Sequence, residues 1–119
     1  MLKDYPEQLL ELSDEEFRLA KKYALERKKY GEKYSEFGII LAANMLSIKE
    51  RSKSAGVEMS ERILIAEKPE LGNLWADIQK HYNNYKAIER MIDAVKNKIW
   101  SVKGIMNYNL KGEIREDYS

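Results

Sequence analysis

Between Leu71 and Met106 an apolar side chain returns at alternating steps of three and four. The positions are Leu71, Leu74, Ile78, His81, Tyr85, Ile88, Ile92, Val95, Ile99, Val102 and Met106, and only His81 is neither apolar nor aromatic. A seam kept up over five heptads specifies one long helix, packed along its length against other helices. The rest of the chain has to supply what that helix packs on.

The first half offers a second, more polar seam: Tyr23, Arg27, Tyr30, Tyr34, Phe37, Leu41, Asn44 and Ile48, widened by Ala20, Ala24 and Met45. Ser13-Asp14-Glu15-Glu16 reads as a capping box that opens this helix, with acids suited to the positive end of its dipole. The spacing predicts a helix over 13–55, after a lead-in over 1–12 in which Pro6 opens one or two turns. Gly31 and Gly38, one heptad apart, each cost roughly 1 kcal/mol against alanine. They read as points of close approach, or as a hinge. Gly56 is the natural left-handed residue to end the helix. A short amphipathic helix is expected over 57–67, with Met59, Ile63 and Ala66 on its buried face. Pro69 then sits at the first position of the second long helix, over 69–109, with Gly112 its latest end and 110–119 a loose polar tail. The expected fold is all-α: one domain of two long antiparallel helices, a coiled-coil-like hairpin joined by a short helix.

That hairpin has more apolar surface than one seam hides. Trp75 and Tyr82 flank the seam on one side and Met91 and Ile105 on the other. Trp100, next to Ile99, falls where a lone hairpin leaves it in water. Surplus of this kind marks a partner, and the simplest is a second copy completing a four-helix bundle as a homodimer.

Composition removes several function classes. There is no cysteine, so disulfides and thiolate metal sites are excluded, which suits a reducing compartment. The opening residues hold no apolar run that would make a signal peptide. The longest apolar block, 39–43, is far short of the ~20 residues that span a bilayer. A cytoplasmic protein without membrane contact is expected. The single histidine, His81, has no Ser-His-acid setting. It also lacks the Glu-x-x-His spacing of a di-metal bundle, since Ile78 stands three residues before it. His81 therefore reads as a seam residue. No phosphate-binding glycine loop is present, and the carboxylates read as solvent-face partners of lysines, as Asp77 with Lys80. No catalytic residue, metal site or cofactor is expected, and the chain is not read as an enzyme.

Charge is the remaining signal. The whole chain carries +1, yet residues 18–33 carry +5 and residues 96–111 carry +4, leaving −8 for the rest. Antiparallel packing sets the start of one helix beside the end of the other, so the two basic segments are expected to meet at the open end. Arg18, Lys22, Lys29 and Lys33 form one stripe, and Lys96, Trp100 and Lys103 another, with Tyr23, Tyr30, Tyr34 and Tyr108 nearby. Cations that track phosphates, with flat rings that stack on bases, are what single-stranded nucleic acid needs. The plainer alternative is a solvated face, with the tyrosines in the seam and Trp100 in a dimer interface. An acidic protein partner is the third.

Glu26-Arg27-Lys28-Lys29-Tyr30, then Ser60-Glu61-Arg62, then Pro69-Glu70 and Trp75 resemble the order of parts in small helical proteins from the early regions of phages and prophages of Gram-positive bacteria. Those proteins often sit beside genes for recombination or single-strand handling. The resemblance carries over no functional residue. It implies a non-enzymatic accessory protein of phage or mobile-element DNA metabolism that binds single-stranded nucleic acid through the basic end. The alternatives are a helical protein-binding adaptor or inhibitor of a host or phage protein, and a structural assembly component. The secreted helical hairpins with a Trp-x-Gly turn do not fit, because Ala76 and Asp77 follow Trp75.

Overall fold

A computed structural model describes residues 4–54 and 56–117, with side chains as far as Leu110. The described residues form three α-helices, α1 (Tyr5–Arg51), α2 (Val57–Glu67) and α3 (Gly72–Asp117), with a 3-10 turn at Pro69–Leu71 leading into α3. Among them there is no strand, and no helix is long and apolar enough to cross a membrane.

The first long helix starts eight residues earlier than the capping box at Ser13 suggests. Asp4 caps it, its Oδ1 accepting the Glu7 amide at 2.8 Å. Pro6, in the first turn, needs no amide partner there. Nothing between Glu7 and Glu16 breaks a helix, and extending a nucleated helix is far easier than starting another. Ser13 to Glu16 are therefore simply carried inside α1. At the far end Arg51 closes the helix: its Nε donates to the Ser47 carbonyl at 3.1 Å, and its two terminal nitrogens grip the Glu67 carboxylate at the end of α2. Gly56 takes no left-handed conformation. Its φ is −76° and it stands as the N-cap of α2. Nor do Gly31 and Gly38 mark close approaches, since a Cβ built on either meets nothing within 4 Å. α3 continues past Gly112 to Asp117, so the tail expected to be loose from residue 110 is helical to that point.

The chain divides into two compact units, each drawing on both long helices. The unit spanning Leu25–Tyr85 holds the main core: Phe37, Leu41 and Ile48 from α1, Leu64 from α2, Leu71 from the turn and Ile78 from α3. Trp75 lies against Phe37, ring centroids 5.1 Å apart. α2 presents a different face from the one its hydropathy suggests. Ser60, Glu61 and Leu64 are buried, while Met59 is about half exposed. The Ser60 hydroxyl has no hydrogen-bond partner among the described residues, an orphan that costs about 1–3 kcal/mol. Leu64, fully buried one turn on, supplies the compensating burial.

The other unit joins residues up to Ala24 with those from Lys86 onward. It is two antiparallel helical segments and little else. Tyr5 and Pro6 share a groove with Met106 and Asn109, while Glu16 shares one with Lys96. Among its described residues only Leu19 and Val95 are fully covered, with Ile88, Ile92, Ile99, Val102 and Met106 half-buried along the expected seam.

Candidate interaction surface

Within the Leu25–Tyr85 unit the α1 seam departs from its hydropathy. Steps of three and four lead from Tyr23 to Phe37 by two routes, one through Arg27 and Tyr34, the other through Glu26 and Lys33. Hydropathy favours the first and the structure takes the second, because Glu26 and Lys33 each meet a complementary group on α3. The Glu26 Oε2 lies 2.6 Å from His81 Nδ1, and Asn84 Nδ2 adds a longer contact at 3.4 Å. Lys33 Nζ reaches Asp77 Oδ2 at 3.6 Å, so Asp77 pairs across the helices and not with Lys80. Arg27 then falls over the Tyr85 ring, 5.3 Å from its centroid, and the Tyr34 hydroxyl donates to Glu61 Oε1 at 2.9 Å. Tyr30 stands at the centre of the ring cluster, 5.3 Å from Tyr85 and 5.7 Å from both Tyr34 and Tyr82. These rings cement the helices together. Tyr30, raised in pKa by its burial, belongs to the seam.

The His81 hydrogen bond holds the Glu26 carboxyl below its ordinary value of 4.5, against the opposing pull of burial and with help from Asn84 and the charge of Lys29. A depressed carboxyl contributes stability that is complete above the unfolded value and is lost as the pH falls through the folded one. Thermal melts should therefore drop as the pH is lowered past about 4.5. Glu26→Gln should flatten that part of the profile while leaving the high-pH stability below that of the wild type. An unchanged acid limb in Glu26→Gln would show that Glu26 does not sense the fold.

The basic residues singled out by the charge pattern are divided between the two units. Lys29 and Lys33 belong to the Leu25–Tyr85 unit, and Arg18, Lys22, Lys96, Trp100 and Lys103 to the other. In the second unit, Lys96, Trp100 and Lys103 line a groove of about 460 Å³ with Ile99, Gly104 and Asn107, and the wall from α1 is Glu16. A separate groove on the other flank of the seam is lined by Glu11, Leu12, Glu15, Lys98, Ser101 and Val102. Arg18 pairs with Glu15 at 3.9 Å, one turn along, and Lys22 follows four residues later on that same stripe. In both grooves antiparallel packing sets the start of α1, rich in acids, beside the basic end of α3.

Trp100 is 79% exposed, and Lys22, Lys96 and Lys103 make no ion pair among the described residues. Residues that charge counting passed over turn out to shape the surface: Glu16 on the groove wall, Glu26 in the seam and Glu61 under α2. Heptad position could have found Glu26, one step from Arg27 at equal spacing. Glu16 reads in the sequence only as part of a capping box, and nothing there marks Glu61 for burial. The fold and surface define an all-α protein built on one pair of packed long helices. No family model matches the chain, and no curated protein or solved structure matches it.

Proposed function

We propose that this protein is a non-enzymatic helical adaptor that acts by packing its helices against a protein partner. The observation that carries the reading is the thin helical pair up to Ala24 and from Lys86 onward. Among the described residues two side chains there are fully covered, while Trp100 at 79%, Leu10 at 66% and Phe17 at 64% stand in water. Apolar surface left out beside a seam is the mark of a docking face. The charges around it are mixed in sign, which suits a protein surface better than a polyanion.

A second reading, single-stranded nucleic acid binding as an accessory to phage or mobile-element DNA metabolism, draws on one specific observation. Trp100 is flanked by Lys96 and Lys103, neither of them ion-paired among the described residues. Titration of a labelled single-stranded oligonucleotide at several salt concentrations separates the two. The adaptor reading expects no binding at low salt. Strand binding instead requires log affinity to fall with log salt at about −0.7 per phosphate contacted. In that case joint replacement of Lys22, Lys29, Lys96 and Lys103 by Ala flattens the slope, and Trp100→Ala costs about 1–3 kcal/mol with the slope kept. Saturable, salt-dependent binding with those two signatures would overturn the adaptor reading.

A further inference from the structure

We infer that the Trp100 groove is filled by a second copy of this chain, related by a two-fold axis running along the helices. The inference rests on the adaptor reading and names the first partner.

Three features of the groove select this occupant. Its walls are opposite in charge: Glu16 on the α1 side, Lys96 and Lys103 on the α3 side. None of the three is ion-paired among the described residues, so all remain available to a partner. They also stand at one level, since they line one groove. A two-fold along the helices preserves level, so Glu16 of each copy faces Lys96 and Lys103 of the other, and each contact occurs twice.

The third feature is exposure. Trp100, on the α3 wall, is 79% exposed, and this two-fold sets it against the α1 wall of the other copy, which takes its ring out of water. A phosphate chain laid in the same groove would meet Glu16. A uniformly acidic helix would be drawn to Lys96 and Lys103 but would also meet Glu16, whereas a second copy offers a charge of the opposite sign to each wall.

Charge reversal across the two walls tests the arrangement in the full-length chain. Sedimentation equilibrium over roughly 1–100 μM should show wild-type dimers. Glu16→Lys alone, and Lys96→Glu with Lys103→Glu, should each weaken association about tenfold or more by setting like charges opposite one another. An equimolar mixture of the two variants should restore it, because the reversed walls match. Helix content by circular dichroism checks that each variant is folded. Trp100→Ala, at a position that is 79% exposed and so carries little of the chain's own core, should also weaken association with helix content kept. A wild type that stays monomeric through that range overturns the inference, as do folded variants whose mixture does not re-associate. Wild-type dimers that ignore both the charge reversals and Trp100→Ala place the second copy elsewhere, which refutes this interface and leaves the adaptor reading standing. Salt-dependent strand binding, by contrast, removes the adaptor reading itself.

Discussion

Phe37→Ala should lower the stability of the protein by about 3–5 kcal/mol. Phe37 is fully buried on α1 in the cluster with Leu41, Leu64 and Ile78, and its ring lies against Trp75 at 5.1 Å. Truncation removes both the transfer energy of the ring and its contacts, and nearby side chains can fill the void only in part. A domain of this size has on the order of 5–15 kcal/mol in all, so the loss is a large fraction of the total. Urea unfolding followed by circular dichroism reads it as a fall in midpoint with the slope little changed. The fluorescence of Trp75, packed on Phe37, should report the same transition. A loss under 1 kcal/mol would mean that Phe37 is not at the centre of this core.

Tyr34→Phe is expected to cost about 1.5–3 kcal/mol, more than the loss of an exposed hydroxyl. The Tyr34 hydroxyl donates to Glu61 at 2.9 Å, and Glu61 is only 7% exposed. Burying a carboxylate is tolerable only while it keeps its hydrogen bonds. This bond also raises the pKa of the Tyr34 hydroxyl, since it favours the protonated donor, with burial acting in the same direction. A double-mutant cycle with Glu61→Gln isolates the pair from other effects of each change. A coupling near zero would show that solvent already satisfies Glu61, and that α2 is held by its apolar contacts and the Arg51–Glu67 pair without it. The bond matters to the fold because it turns α2: with Glu61 drawn inward to Tyr34, Ser60 and Leu64 face the core and Met59 is left outside.

The amino-acid sequence by itself determined the long helices and their seam. An apolar step of three and four repeated from Leu71 to Met106 has only one regular structure that can hide it, and each of its eleven positions is buried or half-buried. Local chemistry likewise determined α2, whose bounds at Val57 and Glu67 follow from Gly56 before it and Pro69 after it. Where several local signals competed, the outcome lay outside the sequence. Asp4 and Ser13 both offer a cap, and the earlier one prevailed because nothing after it interrupts the helix. Arg27 and Glu26 are equally spaced for the seam, and hydropathy, which favours the route through Arg27 and Tyr34, points to the wrong one. The choice fell to His81, which is 55 residues away in the chain and 2.6 Å away in the fold. The candidate surface was legible in the same partial way. Trp100 could be seen to fall outside the seam from its place beside Ile99. Which charges would surround it depended on the register of α1 against α3, which is set by the sum of core contacts along both helices. That register put Glu16 across from Lys96 and Lys103, and so made the groove a surface of both signs.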